Sequence, residues 1–239
     1  YGYKVYTLAG GYKSYRHWII EAFSLPFSFN ILAGFTGSGK TYLLDEMKNK
    51  GAAVVDLEKL ANHKGSAFGN IGMPGQPTQE MFENLLGHEL RKFSDTQEGM
   101  PGGIWLEDES QRIGQINIPP ALWNNMWRSP VVFMAIPFEE RLKHILQEYG
   151  NLNREKMADA ILRIQKRLGG VETKAALQHL DAGDIESCFC ILLKYYDKLY
   201  NKALSNRDPS KLKLTYLDCS IVDPEVNAGR IMNKEFSLK

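Results

Sequence analysis

The sequence is poor in cysteine and has no long hydrophobic segment. Its three cysteines, Cys188, Cys190 and Cys219, lack the paired spacing of a disulfide-rich or metal-binding domain, and we interpret them as structural. The longest clear apolar run, residues 131–136, is far shorter than the roughly 20 residues that a membrane helix needs. These absences exclude a disulfide scaffold and a transmembrane span, and they lead us to expect a cytoplasmic protein.

The chain also lacks an excess of charge of either sign. It has 29 basic and 28 acidic residues, for a formal net charge of +1, so a nucleic-acid binder held by a global positive field is excluded and any basic surface must be local. What it does have is a hydrophobic fraction of 44% over 239 residues, enough for one or two domains with a core. It starts without Met and without a secretory signal, from which we expect a fragment or a processed chain.

Hydrophobic periodicity predicts an alternation of strands and helices. A short strand over residues 4–8 and a helix over 12–23 come first. Five further strands are predicted over residues 29–33, 52–56, 103–106, 131–136 and 212–217. Helices are predicted over residues 40–50, 78–93 and 121–127 and after Pro224, and Thr78 is the predicted N-cap of the second. Residues 139–206 form a largely helical block. The pattern predicts an α/β fold: a parallel five-stranded sheet with helices on both faces and a helical insertion before the last strand.

The strongest motif is a phosphate-binding loop. Residues 34–41 read Gly-Phe-Thr-Gly-Ser-Gly-Lys-Thr, a complete match to G-x-x-x-x-G-K-[ST], between a predicted strand and a predicted helix. Its glycines let successive N–H groups turn toward phosphate oxygens, and the helix N-terminus adds a partial positive charge. We expect phosphate contacts from Gly34, Thr36, Gly37, Ser38, Gly39, Lys40 and Thr41. The motif narrows the predicted fold to a P-loop NTPase-like, nucleotide-kinase-like domain.

Acidic residues follow two of the predicted strands. Glu107 and Asp108 come directly after strand 103–106, and Asp56 ends strand 52–56. Because ligands of open parallel sheets bind beyond the carboxyl ends of the strands, we expect these acids and the phosphate loop around one crevice. Glu107 and Asp108 are candidate Mg²⁺ ligands together with the hydroxyl of Thr41, and the alternative is a solvated acidic turn.

A polar loop broken by glycines, residues 62–69, follows Asp56. Lys64 and Ser66 are its candidate contacts to anionic or hydroxyl groups of a substrate, and Glu109, Ser110 and Arg141 complete the predicted substrate contacts. His63 is either a catalyst or a hydrogen-bonded surface residue. The candidate catalytic residues are Lys40, Asp56, His63 and Glu107.

Two basic stretches lie in the helical insertion. Helical spacing places Arg163, Lys166 and Arg167 on one face, and a second ladder contains Lys194, Lys198 and Lys202, interleaved with Tyr195, Tyr196 and Tyr200. Basic residues with aromatics suit phosphate contact plus base stacking, so the six basic residues are candidate RNA contacts. The alternative is an ordinary amphipathic helix with solvated lysines and core tyrosines.

The motifs together resemble those of the bacterial tRNA 2-selenouridine synthases. The segments that carry the resemblance are the phosphate loop and residues 10–16, 56–58, 62–69, 76–79, 82–84 and 107–110. Lys64 stands where relatives carry Arg, which keeps the charge but not the bidentate fork. The resemblance implies an N-terminal rhodanese domain joined to a P-loop domain, with residues 1–25 as the end of the first and residues 26–239 as the second. None of the three cysteines matches the rhodanese nucleophile.

The resemblance also implies a reaction and its partners. The family's enzymes are transferases that act on the wobble 2-thiouridine of tRNA. The sulfur is alkylated by the geranyl group of geranyl diphosphate, and the geranylthio group is then replaced by selenium from selenophosphate. Geranyl diphosphate, selenophosphate and tRNA are therefore the expected substrates, with Mg²⁺ as a candidate cofactor. Without the rhodanese cysteine, we expect this chain to carry only part of the activity.

Two other functions fit the same residues. In a small-molecule or nucleoside kinase using ATP or GTP, Asp56 would accept a hydroxyl proton, and Arg141, Arg163 and Arg167 would close over the phosphates. In a non-catalytic tRNA-binding half, the chemistry would lie in a separate rhodanese polypeptide.

Overall fold

A computed structural model describes residues 2–94, 102–150, 152–207, 213–234 and 237–238 of the chain. Its strands are β1 (Phe29–Gly34), β2 (Ile104–Glu107), β3 (Arg112–Ile113), β4 (Ile116–Asn117), β5 (Val131–Ala135), β6 (Leu214–Asp218) and β7 (Ser237–Leu238). The main sheet has five strands in the order β2-β1-β5-β6-β7, and β3 and β4 form a separate hairpin. Strands β2, β1, β5 and β6 are parallel, and β7 is antiparallel at the edge. The predicted α/β class with a parallel sheet is confirmed.

Helices cover both faces of this sheet, as predicted. They are α1 (Gly11–Ala22), α2 (Lys40–Asn49), α3 (Leu57–Ala61), α4 (Gln79–Arg91), α5 (Pro120–Arg128), α6 (Phe138–Tyr149), α7 (Arg154–Leu168), α8 (Gly170–Asp181), α9 (Ile185–Ser205) and α10 (Pro224–Met232). Helices α1, α4 and α5 share a core with one face, and α2 and α10 share a core with the other. Ile31 and Leu32 enter opposite cores because successive side chains of a strand alternate. Apart from the half-buried Asn30, β1 is therefore apolar, as a central strand buried on both faces should be.

Side chains at the helix starts explain where several helices begin. Thr78 accepts a hydrogen bond from the Met81 backbone N–H at 3.2 Å, so the predicted cap of α4 is confirmed. Asn153 and Asp184 cap α7 and α9 in the same way, at 3.0 Å each. Such caps satisfy backbone N–H groups that have no partner inside the helix. The helix boundaries therefore follow from local sequence at these positions.

The helical insertion between β5 and β6 is confirmed and consists of α6 to α9. It has an apolar core of its own, which includes Leu142, Ile161, Leu180 and Phe189. Helices α6 and α9 connect this core to the sheet side, because Tyr200 of α9 packs against the core of the sheet. None of the helices in the described part of the chain is long and apolar enough to cross a membrane.

The predicted strand over residues 52–56 is wrong as a strand. Val54 makes a single parallel bridge with Trp105, supported by hydrogen bonds from Val55 N to Trp105 O (3.0 Å) and from Trp105 N to Ala53 O (2.8 Å). The pairing stops there because the Asp56 carboxylate accepts the Lys59 N–H at 2.7 Å and starts α3. Residues 52–56 thus pair with the sheet at one residue only, and β7 takes their place as the fifth strand of the main sheet.

The N-terminal segment also differs from the prediction. Residues 4–8 form no strand, and the side chains of Tyr3, Val5 and Tyr6 are 80% or more exposed, because no strand of the described residues pairs with them. The predicted helix is present as α1, and its Ile19 packs in the core of the sheet domain beside α4. Leu212, the predicted start of the last strand, lies outside the described residues.

The strand register brings the ends of three strands to one edge of the sheet. Leu32 of β1 lies beside Glu107 at the end of β2, and Gly34 lies beside Met134 of β5. The phosphate loop leaves β1 at this edge, and the acidic segment leaves β2 there. The fold therefore places the two main sequence motifs next to each other, as the rule for open parallel sheets predicts.

Candidate functional site

The phosphate loop wraps around the N-terminus of α2. Gly37 and Gly39 have φ values of 84° and 70°, in the left-handed region that favours glycine. A Cβ atom on Gly37 would lie 2.8 Å from Ile145 Cγ1 and 2.9 Å from the Arg141 carbonyl oxygen. The motif glycines are therefore required both by backbone conformation and by close packing against α6.

Two polar groups of this loop suit an anionic ligand. The Lys40 ammonium donates to the Gly34 carbonyl oxygen at 3.0 Å and lines the cavity described below. The Ser38 side chain is 3% exposed, and its hydroxyl has no hydrogen-bond partner among the described residues. Together with the free N–H groups at the start of a helix, these groups form a site that favours negative charge.

Arg141 anchors the phosphate loop through buried contacts. Its guanidinium makes two hydrogen bonds to the Asp197 carboxylate, at 3.0 and 2.7 Å, and donates to the Thr36 carbonyl oxygen at 3.0 Å. It also packs over the Phe35 ring, at 4.9 Å. Arg141 is only 3% exposed, so it connects the loop to α9 and its donors point away from solvent.

A cavity of about 510 Å³ opens in front of the loop. The predicted residues that line it are Gly34, Thr36, Gly37, Ser38, Gly39, Lys40, Thr41, Lys64, Ser66, Asp108, Glu109 and Ser110. Aromatic side chains form much of the remaining wall: Tyr42, Trp123, Trp127, Tyr149, Tyr196 and Tyr200. The structure thus brings the phosphate loop, the polar loop and the acidic segment to one cavity with an aromatic wall.

Glu58 is a site residue that the sequence analysis missed. Its carboxylate accepts a hydrogen bond from the Thr41 hydroxyl at 3.2 Å, and it lines the cavity. Burial raises its pKa, and the positive charge of Lys40 lowers it in part. Glu109 shares a hydrogen bond with Glu58, and burial followed by the Glu58 charge raises the pKa of Glu109 well above its usual range. Each of the two carboxyl groups therefore keeps a proton to a higher pH than an exposed glutamate does. Glu58 lies within residues 56–58, one of the segments that carry the family resemblance, and this position was the sequence signal that could have identified it.

Asp56 and Glu107 form a second acidic pair below the cavity. Glu107 is 2% exposed and accepts the Glu58 backbone N–H at 2.6 Å through one oxygen. Glu107 Oε2 and Asp56 Oδ2 have no hydrogen-bond partner among the described residues. Burial, and then the charge of Asp56, raises the pKa of Glu107 well above its usual range. Glu107 therefore keeps its proton to a higher pH than an exposed glutamate does.

Asp108 faces a different set of groups. Its carboxylate accepts a hydrogen bond from the Tyr200 hydroxyl and forms an ion pair with Arg207. The Asp108 and Arg207 side chains are 8% and 9% exposed. Asp108 thus fastens the end of β2 to the C-terminal part of α9, while Glu58 is the acid that faces Thr41.

The polar loop is folded around His63. Its Nδ1 accepts the Gly65 backbone N–H at 3.1 Å, and burial lowers the pKa of the imidazole. Lys64 points to the cavity, where its ammonium lies 3.4 Å from Glu148 and 5.2 Å from the centre of the Tyr149 ring. Four of the predicted site residues are not among the described residues that line the cavity: Asp56, His63, Glu107 and Arg141. Their predicted roles stay predictions.

The basic ladders lie away from the cavity. Lys194, Lys198 and Lys202 are exposed on α9. Tyr196 and Tyr200, which line the cavity, are two residues along the helix from them, so the lysines occupy the opposite side. Arg163, Lys166 and Arg167 are exposed on α7, where Arg163 donates to the Ala67 carbonyl oxygen at 2.8 Å. The role of all six in RNA binding stays a prediction.

The remaining groups that could carry chemistry are clustered metal ligands and cysteine thiols. Within the described ranges, no group of three or more His, Cys, Asp or Glu residues converges on a possible metal position. Cys188 and Cys219 are buried, and burial raises the pKa of each thiol to about 11. Both cysteines are therefore protonated at neutral pH, as expected for structural residues.

Comparison with known proteins gives consistent matches. The family described as "tRNA 2-selenouridine synthase AAA domain" matches residues 27–214. The tRNA 2-selenouridine synthase of Shewanella piezotolerans is 36% identical over 86% of this chain and 63% of its own length. The enzyme of the same name from Marinobacter nauticus is 37% identical over 83% of this chain and 60% of its own. That from Sulfurovum sp. is 32% identical over 84% and 61%.

A solved structure, that of TT1252 from Thermus thermophilus, aligns with 87% of this chain at 14% identity and a TM-score of 0.34, which is too low to carry a conclusion. The three sequence matches carry more weight than this structural match, because they are 32–37% identical along most of the chain. The chain spans 60–63% of the length of these curated relatives. With the family match over residues 27–214, the resemblance is confirmed, and the chain belongs to the tRNA 2-selenouridine synthase family.

Proposed function

We propose that this chain binds geranyl diphosphate at its phosphate loop and acts in the modification of wobble 2-thiouridine in tRNA. The observation that carries the proposal is the cavity that joins this loop to an aromatic wall, since the ligand has a diphosphate at one end and an apolar chain at the other. In the proposed reaction the thiouridine sulfur attacks the geranyl carbon that bears the diphosphate. The carbon–oxygen bond breaks, diphosphate leaves with its electron pair, and the base loses its N3 proton to solvent.

The loop supports this reaction by stabilising the leaving group. Negative charge develops on the diphosphate as the bond breaks, and donors that are already oriented toward it lower the barrier. Lys40, which now donates to the Gly34 carbonyl oxygen, would shift its ammonium to the diphosphate. Lys64 is a second cation on the cavity wall, held 3.4 Å from Glu148. We expect both ammonium groups to contact the ligand.

The residues around Thr41 fit a Mg²⁺ ion that is shared with the ligand. Mg²⁺ is commonly held by one or two carboxylates plus substrate phosphates, so a cluster of three protein ligands is not required. Thr41 and Glu58 are adjacent and both line the cavity. They would hold the ion in place of the predicted trio, because Asp108 is engaged by Arg207 and Tyr200. When bound, the ion would neutralise charge on the diphosphate.

The second half of the proposal concerns selenium. We propose that the same chain supports replacement of the geranylthio group by selenium from selenophosphate: the selenium bonds to C2, the geranyl thiolate leaves, and water cleaves the phosphorus–selenium bond to release phosphate. We also propose that a rhodanese domain preceding residue 26 completes the enzyme. The relatives' greater length supports a further domain. The kinase alternative gains less support, since Asp56 caps α3 and Arg141 is committed to Asp197 and Thr36.

The proposal is tested by measuring geranyl diphosphate binding to the wild-type chain, to Lys40→Ala and to Lys48→Ala by calorimetry. Lys48 is the matched control, because it is an exposed lysine at the other end of α2. A charge-assisted hydrogen bond is worth about 1.5–3 kcal/mol, so K40A should weaken binding about 10- to 150-fold and K48A should leave it unchanged. Equal affinity of the K40A and wild-type chains would refute the proposed ligand site.

A second measurement separates the remaining functions. The chain is incubated with geranyl diphosphate and a thiolated tRNA, and the tRNA nucleosides are analysed by mass spectrometry. Formation of the S-geranyl nucleoside supports the transferase. Ligand binding without product favours a non-catalytic tRNA-binding half, and rapid ATP turnover with a small hydroxyl acceptor favours the kinase.

A further inference from the structure

The aromatic wall of the cavity includes a pair of neighbouring tryptophans. Trp123 and Trp127 both belong to α5 and line the cavity, with ring centres 5.5 Å apart and planes inclined by 41°. Trp127 is 41% exposed, which is unusual for a large aromatic side chain that borders a deep cavity. Sequence analysis assigned no role to either residue.

The exposed indole is held rigidly in place. The guanidinium of Arg207 lies 4.5 Å from the centre of the Trp127 ring. Arg207 is itself 9% exposed and fixed by the ion pair with Asp108. One side of the indole is therefore fixed by a buried cation. A rigid surface binds a flat ligand at a lower entropic cost than a mobile one.

The surroundings of this pair favour a base over an apolar chain. Ser110 and Gln111 line the same cavity as the tryptophans, and both are exposed. An apolar tail gains most in a dry, closed slot, whereas a stacked base keeps a polar edge that needs partners. The side-chain amide of Gln111 has both a donor and an acceptor, which can pair with the N3–H and O4 of a uracil ring.

We propose that Trp127, supported by Trp123, is a stacking platform for the target uridine base of the tRNA, with Gln111 at the base edge. The proposal rests on the proposed function, because it takes the RNA substrate from it. Enzymes that modify a base usually take it out of its stack, and aromatic side chains replace the lost stacking. The platform would hold the base in the same cavity as the phosphate loop.

The test compares two RNA stem-loops that differ at one nucleotide. One carries 2-thiouridine at the wobble position, and the other carries an abasic nucleotide there. Binding of each to the wild-type chain, Trp127→Ala and Trp18→Ala is measured by fluorescence anisotropy. Trp18 is a matched control, since it is 40% exposed and lies under Arg91 at 4.9 Å, but it belongs to α1 outside the cavity lining.

For the wild-type chain and W18A, we expect the thiouridine RNA to bind about 5- to 150-fold more tightly than the abasic RNA, the range measured for stacking of one base. For W127A this ratio should approach one. The ratio is measured within one protein, so a fraction of unfolded W127A does not affect it. Trp127→Tyr, which keeps a stacking ring, should restore most of the ratio.

Two results would overturn the proposal. An unchanged ratio in W127A would exclude the platform, and weaker geranyl diphosphate binding by that variant would then assign the tryptophans to the apolar tail. A wild-type chain with no preference for the thiouridine RNA would also exclude it. The effect of K40A on geranyl diphosphate binding is independent of these RNA measurements, so failure of the platform and failure of the proposed function are distinguishable.

Discussion

Replacing Arg141 should destabilise the protein and loosen its phosphate loop together. The guanidinium is 3% exposed and makes the paired bonds to Asp197 and the bond to the Thr36 carbonyl. Arg141→Met keeps an unbranched apolar stem and removes the charge and all donors. The Asp197 carboxylate would then lose its ion-pair partner, and the Thr36 oxygen would lose its donor.

The expected loss follows from the exposure of the two partners. Breaking a buried ion pair from one side costs about 3–5 kcal/mol. The Asp197 side chain is 19% exposed and regains some hydration, so we expect the lower end, about 3 kcal/mol. With a denaturant slope of about 3 kcal/mol per molar urea, the unfolding midpoint should fall by about 1 M.

Urea unfolding followed by circular dichroism measures this loss. Lys143→Met is the control, because Lys143 lies on the same helix and its pair with Glu140 is exposed, so its midpoint should not change. Arg141→Lys should lie between the wild type and R141M, since it keeps the charge without the fork. R141M should also bind geranyl diphosphate more weakly below its unfolding range. Equal midpoints for R141M and K143M would refute the structural role, and unchanged ligand affinity would refute the role in the loop.

Two further predictions follow from the loop glycine and the buried acid. Gly37→Ala should lower the free energy of unfolding by about 2–4 kcal/mol, because of the left-handed φ and the contact with Ile145. The control Gly229→Ala lies in α10 with no atom near the new Cβ, and it should raise the free energy of unfolding by about 0.5–1 kcal/mol. Similar urea midpoints for the two variants would contradict this prediction. The pKa of Glu107 is raised in the folded protein, so the stability should decline as pH rises above 4.5, the ordinary pKa of this side chain. Glu107→Gln cannot titrate and should show a smaller decline as pH rises above 4.5, and equal declines in urea midpoint would refute the assignment.

The elements that sequence predicted best are those with a strong local signal. The phosphate loop, the cap of α4 and the central strands β1 and β5 each depend on residues close together in the chain. The strand over residues 52–56 failed because pairing depends on the neighbour and on the Asp56 cap as well as on apolar composition. For residues 4–8, alternation of apolar residues was present without a strand to pair with.

In the candidate site, too, sequence predicted the features with a local signal and missed those that depend on contacts between distant segments. Sequence identified the residues of the loop and of segments 64–66 and 108–110, which do line one cavity. It chose Asp108 as a metal ligand, whereas the fold turns Asp108 to Arg207 and places Glu58 beside Thr41. Which acid faces a ligand depends on side-chain direction at the end of a strand, and no local pattern encodes that direction.

The sequence by itself determined the family, the α/β class and the phosphate loop, because each is carried by residue types at fixed spacing. Only the tertiary structure decided the raised pKa values of Asp56, Glu58, Glu107 and Glu109, since burial is the first cause of each rise and nearby carboxylate charges add to it. It also decided that Trp127 of α5 faces the cavity of the phosphate loop. Burial and convergence of distant segments are properties of packing, and packing becomes visible only when the chain is folded.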